Sequence, residues 1–249
     1  MIPIRDTVPS RIRPLTTWTI ILANVGVFIY ELTLGPEQLL QLFQNFGVVP
    51  AFLEEVLRKP FDPLGYLPVF SSMFLHSGWL HLGFNLWTFW IFADNVEDRM
   101  GHGRFLVFYL LCGIVSGIVH ALLNAGSTLP AVGASGAIAG VLGAYSFLYP
   151  RGRVIVLVPL FFIPYFFQLP AFFFLGVWFL MQLLSGTIAI GMRATGGVAW
   201  WAHVGGFVAG ALLHRLFVSR QRPAPVEYGL QGGWVRRPRR GPFRSDEDW

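Results

Sequence analysis

Charged side chains are scarce in this sequence and are absent from long stretches of it. Only 12% of the 249 residues are charged, whereas a soluble domain carries roughly 25%. No charged residue occurs from Phe105 to Pro150 or from Val154 to Met192, and Leu64–Ala93 and Ala194–His214 also lack charge. A soluble protein of this size needs a charged surface, so that class is excluded. Lipid is the natural solvent for such long apolar runs.

Cysteine is almost missing as well. Cys112 is the single cysteine in the sequence, so an intrachain disulfide is excluded, and we expect this side chain to pack among apolar neighbours. The net charge of +5 could favour nucleic acid as a partner. The arginines, however, concentrate in the N-terminal segment, two short connections and the tail, which is typical of membrane proteins. No nucleic-acid partner is therefore expected.

The apolar runs that remain are long enough to form membrane spans. Each run is continuous rather than alternating, which favours helices over barrel strands, and backbone polar groups in lipid must be paired internally. We predict an all-α membrane protein whose membrane domain covers residues 15–218. The six expected spans lie near Leu15–Leu34, Trp79–Ala93, Phe105–Leu123, Val132–Tyr149, Pro170–Ile190 and Val198–Val218.

The remaining segments are interpreted from their polarity and their prolines. Residues 1–14 are predicted to be a cytoplasmic N-terminal segment, and the Arg-, Pro- and Gly-rich residues 219–249 a disordered cytoplasmic tail. The first connection, Gly35–Gly78, is expected to hold short interfacial helices. The apolar run Val154–Gln168 is interrupted by two prolines, so we predict a membrane-dipping connection rather than a seventh span.

The basic residues set the expected orientation. If the N-terminus is cytoplasmic, only Arg58, Lys59 and Arg193 of the 18 basic residues lie in external connections. Cytoplasmic connections of membrane proteins carry the excess of Lys and Arg. Both termini are therefore predicted to be cytoplasmic.

A serine flanked by glycines, in Gly133-Ala134-Ser135-Gly136, is placed at the start of the fourth expected helix. A nucleophilic serine needs close approach of a substrate backbone, which small neighbours permit. The unpaired N–H groups and positive dipole end of a helix N-terminus suit a developing oxyanion. The competing interpretation is a packing face, because Gly136, Gly140 and Gly143 have the spacing of helix–helix contacts.

A histidine lies inside the sixth expected helix, in Ala202-His203-Val204-Gly205-Gly206. Histidine in a membrane span is costly and indicates function by default. Ser135 and His203 are expected at similar depth, because both helices would enter from the outer side and each residue lies a few positions inside its helix. His203 could then activate the Ser135 hydroxyl as a general base. The alternative is a histidine bonded to a backbone carbonyl.

Glu31 is the one carboxylate within an apolar run, so a Ser–His dyad is expected rather than a triad.

Two polar side chains of the second expected helix share one face, since His81 and Asn85 are four residues apart. An amide at this depth could donate a hydrogen bond to an oxyanion. A zinc site is the alternative, but the sequence has no HExxH motif and no acidic residue near this level, so no metal is expected. Glu97, Asp98 and Arg99 are interpreted as a structural cluster that pairs with helix ends.

Four motifs occur together in one order: FLHSGWLHLGFN (Phe74–Asn85), Glu97 with Arg99, GASG (Gly133–Gly136) and AHVGGFVAG (Ala202–Gly210). With these motifs the chain resembles the rhomboid intramembrane serine proteases over roughly residues 15–218. The resemblance implies a six-transmembrane-helix rhomboid-like bundle.

The resemblance also implies the site. Ser135 would be the nucleophile and His203 the general base, while Asn85, His81 and the backbone N–H of Ser135 would form an oxyanion hole. The connection Ile190–Val198 would act with the fifth helix as a gate. Substrates would be single-span membrane proteins, and no cofactor or metal would be needed. Membrane lipid and a bacterial inner membrane are the expected surroundings.

Two features depart from the pattern of some family members. Leu67 and Pro68 replace a Trp-Arg pair of the first connection, and Ala139 replaces a tyrosine that stacks on the catalytic histidine. Another side chain must therefore orient His203, or none does. The alternatives to a protease are a catalytically inactive relative that binds membrane proteins, and a small transporter or channel.

Overall fold

The computed structural model describes residues 1–52, 56, 63–160, 163–191 and 198–218, together with the backbone of two short strands in the tail. The helices whose two ends both lie within the described residues are α1 (Leu15–Glu31), α2 (Pro36–Phe46), α3 (Leu67–Ser71), α4 (Trp79–Met100), α5 (His102–Leu123), α6 (Ser135–Leu148), α7 (Ala171–Gly191) and α8 (Trp200–Phe217). Short 3-10 turns at Pro63–Tyr66 and Ser72–Phe74 flank α3. The short helices α2 and α3 lie in the first connection, as the sequence predicts.

The chain is mostly helical but not all-α, and the expectation for residues 154–168 has to be corrected. Strands β2 (Arg153–Leu160) and β3 (Ile163–Pro170) form an antiparallel hairpin, and β1 (Ile2–Asp6) pairs with β2. Prolines exclude a helix here, and β-branched and aromatic side chains suit a pleated surface. Part of the N-terminal segment, Ile2–Asp6, thus forms one strand of a sheet.

Strands β4 (Val226–Tyr228) and β5 (Trp234–Arg236) pair in the tail. The rest of the tail predicted to be disordered lies outside the described residues, as do Arg58, Lys59, Arg193 and most of the expected gate connection.

Helix α6 lies in the middle of the bundle and packs along α8 through glycines. A Cβ atom on Gly206 or Gly210 would overlap the backbone carbonyl of Gly136 or Gly140, and one on Gly143 would overlap the carbonyl of Phe207. Helices without side chains at their contact can approach this closely. The packing of these two glycine faces agrees with the sequence prediction, and it places the first turn of α6 beside the first turns of α8.

The acidic cluster after the apolar part of α4 holds the start of α1. Glu97 is fully buried, and its carboxylate accepts hydrogen bonds from the Thr16 N–H at 2.9 Å, the Thr17 N–H at 2.8 Å and the Thr17 hydroxyl at 2.7 Å. Pro14, at the N-cap of α1, supplies no side-chain bond, so Glu97 satisfies donors that would otherwise be unpaired. The predicted structural role of the cluster agrees with these contacts.

Two helices of the described residues are long and apolar enough to cross a membrane, namely His102–Leu123 and the segment Ala171–Ala189 of α7. Helices α1 and α6 are apolar but shorter, with 17 and 14 residues. The last turns of α4 hold several charged side chains. The count of six spans therefore stays a prediction.

Candidate active site

Ser135 and His203 are brought into direct contact. The Nε2 atom of His203 lies 2.8 Å from the Ser135 Oγ. Ser135 is the first residue of α6, and His203 lies in the first turn of α8. The close packing of the two helices puts both side chains at one end of the bundle. At this distance the imidazole can take a proton from the hydroxyl.

The segment before Ser135 is held in an extended path that ends where α6 begins. Val48 and Ala131 exchange backbone hydrogen bonds, and the Gly133 N–H donates to the Ser72 carbonyl at 2.8 Å. Gly133 has a φ of +124°, which L side chains rarely adopt. The helix therefore begins at Ser135 rather than near Val132 as predicted, and the first helical N–H groups have no partner within the helix.

His81 and Asn85 lie beside Gly133. A Cβ atom on Gly133 would be 2.6 Å from the His81 Nε2 and 3.6 Å from the Asn85 Nδ2, so glycine leaves room next to both groups. The Ser77 N–H points at the Nδ1 of His81 at 3.4 Å, and the Ser77 hydroxyl lies 3.1 Å from it. Because a backbone N–H can only donate, Nδ1 accepts and the Nε2 of His81 is left as a donor.

Asn85 is buried, and its Nδ2 atom has no hydrogen-bond partner in the part of the chain that the structure describes. An unpaired buried amide is costly. A donor of this kind next to Gly133, which lies two residues before the serine in sequence, is what an oxyanion site requires.

His203 is held on its other side by two residues that the sequence interpretation missed. Gln182 is buried, and its Oε1 atom lies 2.8 Å from the His203 Nδ1. The indole ring of Trp178 lies against the imidazole, with ring centroids 5.9 Å apart. Both residues come from one face of α7, four positions apart. Gln182 is the single side-chain amide of that apolar helix. This isolated polar residue is the signal that could have indicated its role from the sequence.

His76 lies next to the site without touching the serine. Its ring is 5.1 Å from that of His81 by centroid, and its backbone N–H donates to the carboxylate of Glu31 at 3.1 Å. Burial lowers the pKa of His76 to about 4, so the ring is neutral at pH 7 and adds no charge near the serine. The contact with Glu31 ties the end of α1 to the start of α4.

A small cavity of about 30 Å³ reaches Ser135, and Ser72, Ser116 and His120 also line it. A water needs roughly 10–15 Å³ of such space and two to four polar partners. The cavity is therefore large and polar enough for water beside the serine. Among the described residues, no group of three or more His, Cys, Asp or Glu side chains could hold a metal.

Comparison with known proteins identifies what this arrangement is similar to. Residues 64–220 match the family model of the Rhomboid domain. The mitochondrial Rhomboid protein 1 of Saccharomyces cerevisiae is 28% identical over 176 residues, which are 68% of this chain and 47% of that protein. The mitochondrial presenilin-associated rhomboid-like protein of Homo sapiens is 33% identical over 120 residues, which are 45% of this chain and 32% of that protein.

The Rhomboid protease GluP of Bacillus subtilis is 40% identical over 83 residues, which are 33% of this chain and 16% of that protein. The chain thus spans less than half the length of these relatives. Two of these relatives are mitochondrial, which conflicts with the expected bacterial inner membrane. The expected placement in a membrane agrees with the family. The family match covers all four motifs, among them the two that contain Ser135 and His203, and the chain belongs to the rhomboid family.

Proposed function

We propose that this protein is an intramembrane serine endopeptidase that cleaves single-span membrane proteins with a Ser135–His203 dyad. The observation that carries the proposal is the 2.8 Å separation between the Ser135 Oγ and the His203 Nε2. An inactive, binding-only relative has no need of this contact. The family match and the protease among the relatives support the same reaction class.

In the first half of the reaction, His203 acts as general base. Its Nε2 accepts the Ser135 proton while Oγ attacks the carbonyl carbon of the scissile peptide bond. The negative charge then develops on the carbonyl oxygen. The N–H of Ser135, the Nδ2 of Asn85 and the Nε2 of His81 are the donors available to stabilise it.

In the second half, the protonated His203 gives its proton to the leaving amine, and the acyl group stays on Ser135. A water molecule then attacks the ester, with His203 again as base, and the serine is released. Water has to reach a site at membrane depth for this step. The cavity that Ser72, Ser116 and Ser135 line offers it a polar place to bind.

The placement of the site at one end of the bundle favours cleavage near the external end of a substrate span. Helices α4, α6 and α8 all begin at the site end, whereas Glu97, Asp98 and Arg99 lie at the opposite end of α4. With basic residues on the cytoplasmic side, α1, α4, α5, α6, α7 and α8 cross the membrane and the dyad opens toward the outer face. A substrate would be cut near the external end of its span.

Cleavage of a defined single-span protein tests the proposal. The full-length protein in detergent is incubated with a single-span substrate that carries small residues near the external end of its span, and the products are identified by mass spectrometry. Wild type is expected to yield two fragments, and Ser135→Ala none. Ser146→Ala is the matched control, since Ser146 lies on the same helix and donates only to the Leu142 carbonyl at 2.9 Å. Cleavage by Ser135→Ala, or none by wild type, would contradict the proposal.

A further inference from the structure

The hydrogen bonds around Gln182 determine which of its atoms faces the histidine. The Nε2 atom of Gln182 lies 3.4 Å from the Trp178 carbonyl oxygen. A carbonyl oxygen can only accept, so the amide nitrogen belongs on that side. The Oε1 atom then faces the His203 Nδ1 at 2.8 Å.

The same logic continues through the imidazole. An amide oxygen can only accept, so the Nδ1 of His203 must carry the proton in this contact. A neutral imidazole has one N–H and one bare nitrogen, and Nε2 is then the bare nitrogen that faces the Ser135 Oγ. This is the tautomer that a general base needs.

We propose that Gln182 is a positioning residue for the dyad and selects the tautomer of His203. This inference rests on the proposed protease function. Gln182 does for His203 what a carboxylate does in a triad, but without a charge. Glu31, the one acid within an apolar run, accepts from His76 instead. It also explains how the site functions with Ala139 in place of a stacking tyrosine, because Gln182 and Trp178 hold the ring instead.

One partner of the contact is buried. Gln182 is 6% exposed, so water does not replace it easily, and a lost acceptor would leave the Nδ1–H unpaired in an apolar site. The free ring could then turn or adopt the other tautomer, which places a proton on Nε2 and blocks the base.

Two substitutions separate positioning from packing. Gln182→Met keeps a side chain of similar length without an acceptor, whereas Gln182→Glu keeps an acceptor and adds a charge. We expect Gln182→Met to lower kcat about 10- to 100-fold with KM nearly unchanged. Gln182→Glu is expected to retain more activity, with the acid limb of its kcat/KM profile moved to higher pH, because a carboxylate stabilises the imidazolium. Met181→Ala, an exposed neighbour on α7, is the control and should behave as wild type.

A packing role predicts the reverse order, since methionine suits an apolar helix better than a buried acid. The inference is overturned if Gln182→Met keeps kcat within about twofold of wild type, or is more active than Gln182→Glu at every pH. Thermal unfolding of each variant separates misfolding from loss of positioning. If wild type cleaves, Ser135→Ala does not and Gln182→Met is unaffected, only this inference fails. If wild type cleaves nothing, the proposed function fails.

Discussion

Gly206 of α8 packs directly against the carbonyl oxygen of Gly136 in α6. A Cβ atom at position 206 would overlap that oxygen and would lie 2.9 Å from the Gly136 carbonyl carbon. Gly136 follows Ser135, and Gly206 lies one helical turn after His203. The contact that brings the two backbones together is therefore also the contact that sets the separation of the candidate catalytic pair.

We expect Gly206→Ala to lower both stability and activity. The added methyl group meets backbone atoms that cannot rotate away, so the helices must move apart, at a cost of about 1–3 kcal/mol. A displacement of about 1 Å at a catalytic pair can reduce the rate about 100-fold. The thermal unfolding midpoint in detergent and the cleavage rate below that midpoint measure the two effects.

Gly176→Ala is the matched control for this substitution. Gly176 lies in α7, and nothing lies within 4 Å of a Cβ atom built there. Alanine is preferred over glycine in a helix by about 0.5–1 kcal/mol, so this variant should be at least as stable as wild type. Equal behaviour of the two alanine variants would contradict the role of the Gly136–Gly206 contact.

Glu97→Gln should destabilise the fold without changing the chemistry of the site. The amide keeps a single accepting oxygen for donors that now use both oxygens of a buried carboxylate, Thr16 and Thr17 among them. We expect a loss of about 1–3 kcal/mol in the free energy of unfolding. Chemical denaturation followed by tryptophan fluorescence measures it.

Glu37→Gln serves as the control for Glu97, because Glu37 is exposed in the first turn of α2. Surface substitutions change stability by about 0.5 kcal/mol or less. A stability loss as small for Glu97→Gln as for Glu37→Gln would show that the buried carboxylate does not cap α1.

Asn85→Ala tests the oxyanion donor. If the unpaired Nδ2 of Asn85 stabilises the oxyanion, its removal should lower kcat about 100- to 1,000-fold and leave KM nearly unchanged. Asn45→Ala, at an exposed asparagine of α2, is the control. Wild-type activity in the Asn85→Ala variant would exclude Asn85 as an oxyanion donor. His81 and the Ser135 N–H would then be the remaining donors.

Asp6 predicts a dependence of stability on pH. Burial raises the pKa of Asp6 above its ordinary value of 3.8, although the hydrogen bond that the Tyr145 hydroxyl donates to it acts in the opposite direction. Between the two pKa values the unfolded chain loses the proton first, so the free energy of unfolding should fall as pH rises through this window.

Asp6→Asn cannot titrate and keeps an accepting oxygen, so the stability of wild type relative to this variant should decline as pH rises above about 4. Unfolding midpoints of both proteins from pH 4 to pH 8 measure the difference. A difference that stays constant with pH would contradict the raised pKa.

Sequence reasoning predicts the parts of the site that depend on composition and spacing. The glycine spacing at Gly206 and Gly210 indicates a close helix contact, and His81 with Asn85 form one face because helices repeat every 3.6 residues. Those local rules hold in the structure. The depth argument for Ser135 and His203 agrees with their contact, because both residues lie at helix starts.

The parts that depend on long-range pairing could not be predicted in this way. The apolar run of β2 gives the same composition signal as a buried helix segment, and its partner β1 lies far from it in the sequence, near the N-terminus. The contact of Gln182 with His203 depends on how α7 rotates against α8, and an isolated amide does not specify that rotation. The start of α6 depends on Gly133 and its bond to Ser72, which lies in another segment.

Labelling of Ser135 by a fluorophosphonate tests the central claim most directly, because it needs no knowledge of the substrate. The full-length protein in detergent is treated with the reagent, and the adduct is located by peptide mass mapping. We predict a single adduct on Ser135 in wild type, none in Ser135→Ala, and labelling slowed at least about 100-fold in His203→Ala. Wild type without an adduct on Ser135, or labelling at an unchanged rate in His203→Ala, would contradict the proposed dyad.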